Sequence, residues 1–211
     1  MVGVPLVSEP SDPFEPLELV LSAGTPLYRV FSNAVPTPLT FNERHGYGGR
    51  FHFFGDPTVP VLYAAESQVA AVCESILHEV AKKDGVVFPK DYLDKVLAGI
   101  VPSRDLRLAS FLGPGLRRLG IEARNLTATT SRHYDRTVRW AEAAHATGFE
   151  GVAYMSHREN SSRVYVFFGD KVSEDDLEIE PGVSRIFASG ADFDWLVDQC
   201  AVMNIDIEPP V

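Results

Sequence analysis

The sequence predicts an α+β fold with a mixed arrangement of strands and helices in one domain. Three observations carry that reading. Short runs rich in β-formers recur at Leu27–Ser32, Val59–Ala65, Gly151–Met155 and Arg163–Phe168. Apolar residues at three- and four-residue spacing mark helices between and after them, without the strict alternation of a parallel α/β sheet. The chain has 211 residues, 45% of them hydrophobic, which suits one domain with a real core and argues against disorder. No internal repeat is visible.

Taken in order, residues 1–25 read as an irregular lead-in punctuated by Pro5, Pro10, Pro13 and Pro16. Leu27–Ser32 reads as a strand, and Asn33–Gly49 as a polar loop with prolines and three glycines. After the buried strand ending at Ala65 comes the clearest helix. Val69, Val72, Cys73, Ile76, Leu77 and Val80 form its stripe, with Ser67 as N-cap. Glu74 lies about 130° from the centre of that stripe at about 100° per residue, on a flank shared with the small Ala70. It is therefore placed to face a cleft rather than the core. A short helix over Lys90–Leu93, a strand over Lys95–Val101 and a helix over Tyr134–Ala146 follow. Two strands joined by the polar turn Ser156–Ser162 come next, then a strand over Leu177–Ile179 and a last helix near Asp192–Met203. The division expected is a lead-in over 1–25, a catalytic body over 26–170, and an acidic extension over 171–211 packed on the same domain.

Charge narrows the partners. The formal net charge is −10, from 19 basic and 29 acidic residues. Residues 171–211 hold two basic and ten acidic side chains, a net −8, which leaves −2 for residues 1–170. Such a chain is a poor candidate for nonspecific nucleic-acid binding. Eight arginines between Arg104 and Arg139 stand against Asp105, Glu122 and Asp135. They are either a solvated face or a surface for an acidic partner. No apolar run approaches the roughly 18 residues of a membrane span, and the N-terminus lacks the pattern of a secretory signal, so a cytoplasmic location is expected. Cys73 and Cys200 read as small buried hydrophobes, and no Cys/His spacing suggests a metal site.

The stretch His45-Gly46-Tyr47-Gly48-Gly49-Arg50-Phe51-His52 carries the chemistry. Glycines let main-chain N–H groups approach a ligand, and a guanidinium fork matches phosphate oxygens in pairs. Gly49 and Arg50 would together cradle a phosphate, and Tyr47 would stack on a ring; simple surface roles are the bland alternatives. Arg29, centred in an apolar strand, needs an anion, either a ligand phosphate, a catalytic carboxylate or a structural ion pair. Glu74 is the candidate carboxylate for developing positive charge on a sugar, against an ordinary exposed helix glutamate. Glu66 and Glu79 are its decoys. Ser156, at a strand end, would hydrogen-bond a ribose or phosphate, or merely form the turn. Its neighbour His157 does not make a Ser–His hydrolase, because no Gly-x-Ser-x-Gly elbow is present. Together these residues suggest a phosphorylated nucleotide whose glycosidic bond is broken.

The chain resembles the RES-domain family, toxins of toxin–antitoxin pairs named for Arg, Glu and Ser positions. The matching elements are Leu27-Tyr28-Arg29-Val30, Gly48-Gly49-Arg50-Phe51, Val61-Leu62-Tyr63-Ala64, Glu74 and Gly151-Val152-Ala153-Tyr154-Met155-Ser156, with Tyr165–Asp170 as the closing strand. The resemblance spans about residues 27–170. It implies an ADP-ribosyltransferase-like core, a mixed sheet with flanking helices, that takes NAD as substrate. Family members degrade NAD by hydrolysis or by phosphorolysis with inorganic phosphate, or transfer ADP-ribose to a protein. It also implies a separate antitoxin with an Xre-like DNA-binding region. By the same resemblance Glu74, Arg29 and Arg50 would be catalytic. Arg29, Tyr47, Gly49, Arg50, Tyr63 and Ser156 would hold NAD, although Tyr63 on a buried strand has core packing as its alternative. A protein mono-ADP-ribosyltransferase using the same site is the nearest rival. A noncatalytic nucleotide-binding or interaction module is the rival of another class.

Overall fold

The structure, a computed structural model, describes residues 7–43, 48–81 and 83–210. Its elements are β1 (Leu17–Leu21), β2 (Leu27–Ser32), β3 (Val61–Ala65), α1 (Gln68–Cys73), β4 (Gly85–Val87), α2 (Pro89–Tyr92) and β5 (Lys95–Pro102). They continue with β6 (Leu106–Phe111), α3 (Gly113–Arg118), α4 (Tyr134–Ala146), β7 (Gly151–Met155), β8 (Arg163–Phe168), β9 (Leu177–Ile186), α5 (Gly190–Val202) and β10 (Ile205–Ile207). Eight strands form one mixed sheet in the order β1-β6-β7-β8-β3-β2-β5-β9, and β10 pairs with β4 apart from it. Within the large sheet only β6 and β7 run parallel. The α+β class with a mixed sheet and flanking helices is what the chain adopts.

The central strands β3, β7 and β8 are almost continuously apolar because both of their faces are covered. On one face Val61, Val152, Tyr154, Val164, Val166 and Phe168 pack under α1, α4 and α5. On the other, Leu27, Leu62, Ile100, Leu108, Tyr165 and Phe167 form a second apolar layer. α4 buries Tyr134, Thr137, Trp140, Ala141 and Ala144, residues that recur at helical spacing.

Three expectations need correction. The stretch expected to be irregular contains β1, an edge strand held by antiparallel pairing with β6. Proline-rich surroundings hide it, since its partner lies about ninety residues away. Residues 8–9 also dock on α4, where Trp140 Nε1 donates to the Ser8 carbonyl at 2.9 Å and Arg139 pairs with Glu9 at 2.8 Å. Second, α1 stops at Cys73 instead of running to Val80. Ser75 Oγ donates to the Ala71 carbonyl at 2.6 Å, a side-chain bond that competes with helix continuation. Successive turns follow, and the Arg158 guanidinium caps the carbonyls of His78 and Val80. The turns keep three- and four-residue spacing, so Ile76 and Leu77 stay buried. Third, the strand beginning at Leu177 extends to Ile186 along β5, through a register shift opposite Ala98–Ile100.

Candidate functional site

β2 and β3 register at Tyr28 and Ala65, and a cavity of about 890 Å³ opens beside them and α1. Arg29 and Tyr28 from β2, Tyr63 from β3, Glu74 and His78 after α1, Gly49 and Arg50 from the glycine loop, and Tyr134 and Tyr154 line it. The sequence candidates Arg29, Gly49, Arg50, Tyr63 and Glu74 thus meet at one place. Tyr47 lies outside the described residues.

Glu74 occupies the C-cap of α1, where its N–H donates to the Ala70 carbonyl at 2.9 Å. Both of its carboxylate oxygens are held from β7 and the turn after it. Tyr154 Oη donates to Oε2 at 2.8 Å, and Ser156 Oγ to Oε1 at 2.8 Å. Burial, reinforced by the Glu74 charge, pushes the Tyr154 phenol well above its ordinary range, so it keeps the proton that it donates to Glu74. Ser156 is wholly buried and lies behind Glu74, outside the cavity lining. Its hydroxyl donates to the carboxylate, whereas its position at a strand end predicts a contact to ribose or phosphate.

Arg50 is buried, an uncommon position for an arginine. Its Nη1 donates to the carbonyls of Leu126 and Thr129 at 3.3 and 3.0 Å and to Thr129 Oγ1 at 2.6 Å. The guanidinium carbon sits 5.1 Å from the centre of the Tyr134 ring. Thr137 on α4 donates to the Arg50 carbonyl at 2.6 Å, fixing the loop from below. Arg29 Nη1 donates to the Pro38 carbonyl at 2.5 Å. Burial depresses its pKa to about 10, with the distant Glu174 charge acting the other way. Among the described residues neither arginine has a carboxylate within ion-pair distance, Glu74 included. Two cations on a cavity wall without a protein anion form an anion-receptive surface. The structural ion pair that is one alternative for Arg29 is not formed among the described residues.

The glycine loop closes on itself through His52. Gly49 N–H donates to His52 Nε2 at 2.9 Å, and His52 Nδ1 lies 2.9 Å from the Tyr63 hydroxyl. A Cβ on Gly49 would lie 2.1 Å from the His52 ring, so any side chain there displaces the histidine. Tyr63 Oη also accepts from Phe51 N–H at 3.2 Å, and burial raises its pKa.

The two decoys separate. Glu66 turns away to accept from Tyr165 Oη at 2.6 Å, whereas Glu79 reaches the cavity rim beside His78. Sequence reasoning misses His78, Tyr134 and Tyr154. The Glu74-x-x-x-His78 spacing is the available signal for the first; the tyrosines arrive from distant elements. Cys73 and Cys200 are buried free thiols, pushed up to about 12 and about 11 mainly by burial, which suits packing rather than nucleophilic roles. Five of the eight arginines in residues 104–139 are spent on the chain's own carboxylates: Arg104, Arg107, Arg118, Arg124 and Arg139. No helix among the described residues is long and apolar enough to cross a membrane.

Residues 26–189 match the RES domain family model. No curated protein matches the chain. Among solved structures it is similar to one described as the crystal structure of the M. tuberculosis MbcT–MbcA toxin–antitoxin complex. The two share 17% identity over 78% of this chain and 85% of that chain, with a TM-score of 0.58. At that identity the likeness concerns the fold.

Proposed function

The chain belongs to the RES-domain family, and from that premise we propose that it is a toxin-type enzyme that cleaves the nicotinamide–ribose bond of NAD. One observation carries the reading: a carboxylate held by two hydroxyl donors faces a cavity lined by the buried Arg50 and the partly buried Arg29, neither with a carboxylate partner among the described residues. The cavity volume falls within the range of small-molecule sites, about 300–1,000 Å³. The bond to be broken sets the requirements. Nicotinamide in NAD is already a cationic leaving group, so its departure needs no strong acid. The ribose left behind resembles an oxocarbenium ion, as in glycoside cleavage.

Arg29 and Arg50 supply charge for the pyrophosphate, and the Gly49 loop allows close approach of backbone to ligand. Glu74 places a fixed negative charge where positive charge grows on the sugar. Tyr154 and Ser156 hold that carboxylate still, so little reorganisation is needed as the bond breaks. A nucleophile entering the same cavity then takes the ribosyl carbon, water giving hydrolysis and phosphate giving phosphorolysis.

A cleft of this kind would consume the cytoplasmic NAD pool unless covered, so the reading includes a separate antitoxin protein, Xre-like by family resemblance, that closes it. The similar solved structure is a toxin–antitoxin complex by its description, which supports this part. Incubating the purified chain with NAD and following nicotinamide tests the proposal. Free nicotinamide with ADP-ribose or its phosphate is the expected result. Label transferred to a protein would point to ADP-ribosylation, and intact NAD would overturn the reading.

A further inference from the structure

Glu74 is set as a fixed anion, with one hydroxyl donor on each of its oxygens. Another set of groups on the same cavity wall has the arrangement a proton acceptor needs. His78 Nδ1 lies 2.7 Å from the Glu79 carboxylate, and His78 Nε2 lies 3.1 Å from the Tyr134 hydroxyl. A carboxylate accepts only, so Nδ1 carries a proton toward Glu79, and in the neutral ring Nε2 presents its lone pair. Tyr134 must then donate its O–H to His78, which leaves its oxygen lone pairs for something else. All three residues line the cavity.

Resting on the NAD-cleavage reading, we infer that Tyr134, His78 and Glu79 form a proton-accepting relay that makes water the nucleophile at this site. Water bonded to Tyr134 Oη gives its proton to that oxygen while the Tyr134 proton passes to His78 Nε2. The water oxygen forms its bond to the ribosyl carbon as the carbon–nitrogen bond to nicotinamide breaks. That electron pair returns to the pyridine ring, releasing neutral nicotinamide. The proton ends on His78, beside the Glu79 carboxylate, in the order carboxylate–imidazole–hydroxyl that recurs in acyl-transfer enzymes.

Surroundings agree with the assignment. Burial raises the Tyr134 pKa, so its hydroxyl is neutral before and after and serves as a conduit. The Arg50 guanidinium above its ring steadies transient negative charge on the oxygen. Arg158 holds the His78 and Val80 carbonyls, which fixes the turn that carries the imidazole. Tyr134 would touch the nucleophile and is the catalytic group; His78 and Glu79 act through it.

The test compares wild type, His78→Gln, His78→Ala and Tyr134→Phe for nicotinamide release in phosphate-free buffer and with added inorganic phosphate. Thermal melting confirms folding. General-base catalysis contributes roughly 10²–10⁴-fold, so His78→Gln should lose at least about 100-fold in kcat with KM within about threefold. Added imidazole should raise the rate of His78→Ala, an effect that a merely structural role would not produce. A phosphate dianion needs no base, so any phosphate-dependent cleavage should survive His78→Gln. Hydrolysis within about threefold of wild type in His78→Gln overturns the relay and leaves the NAD-cleavage reading standing. So does wild-type release that occurs only with phosphate. No release from wild type overturns both.

Discussion

Ser156 Oγ donates to Glu74 Oε1 at 2.8 Å, joining two residues 82 positions apart into one unit behind the cavity wall. With Tyr154 on the other oxygen, the carboxylate is held from the β7 side while α1 fixes its backbone. A side chain held this way works by being in place before the charge develops.

Ser156→Ala should therefore slow turnover without changing substrate affinity. Hydrogen bonds to charged groups contribute about 1.5–3 kcal/mol, so kcat should fall about tenfold or more, with KM within about threefold. Tyr154→Phe should behave alike. Steady-state nicotinamide release on each variant checks this. A large KM rise with unchanged kcat would return Ser156 to a substrate-binding role.

Arg50 has a different signature because its fork is divided between backbone carbonyls and the cavity. Arg50→Lys keeps the charge but loses the planar fork. NAD affinity should weaken by at least about tenfold, the scale of one charge-assisted contact. Calorimetric titration with NAD, alongside a melting curve to show the fold intact, measures it. Unaltered affinity would mean that Arg50 serves only Thr129 and Leu126.

Much of the fold and part of the site are legible in the amino-acid sequence. The helix over Tyr134–Ala146 and the strands Gly151–Met155 and Arg163–Phe168 match the expected bounds, because their apolar patterns are strong and their ends are marked by turn residues. β1 and β6 escape sequence reasoning for one shared reason. Neither is specified locally; each is stabilised by pairing with the other, and β6 also by β7. α1 is expected too long because successive turns preserve helical spacing. At the site, Arg29, Arg50 and Glu74 are residue types that declare their chemistry. Residues whose role lies in a distant partner do not. Tyr154 is a core aromatic by sequence, and only the fold turns its hydroxyl onto Glu74. Tyr134 opens a helix, and only the fold sets it against His78 and Arg50.

Gly151 tests the packing at the sheet centre. A Cβ there would lie 2.1 Å from the Val166 carbonyl oxygen, a backbone atom that cannot step aside. Gly151→Ala should destabilise the protein by about 1–3 kcal/mol through overpacking between β7 and β8. Urea unfolding measures the loss; a stability equal to wild type would show that the strands can separate freely.

Acid stability should depend on Asp176. The Arg104 guanidinium holds its carboxyl well down, to about 2 from 3.8. A folded pKa below the unfolded one stabilises the native state above pH 3.8, and that contribution disappears as pH falls toward 2. Both side chains are partly exposed, so Asp176→Asn should cost no more than about 1 kcal/mol near neutrality. The difference from wild type should vanish near pH 2. Unfolding curves at both pH values decide it, and a gap that persists in acid would assign the effect to something other than this pair.

The most direct test of the account is NAD turnover by Glu74→Gln beside wild type, with NAD affinity measured on both. The substitution keeps size and hydrogen-bonding capacity while deleting the charge. Wild type is expected to release nicotinamide, and Glu74→Gln to do so at least about 100-fold more slowly while binding NAD within about threefold, as removal of a charge-stabilising group requires. Equal turnover by the two proteins would contradict the central role given to this carboxylate.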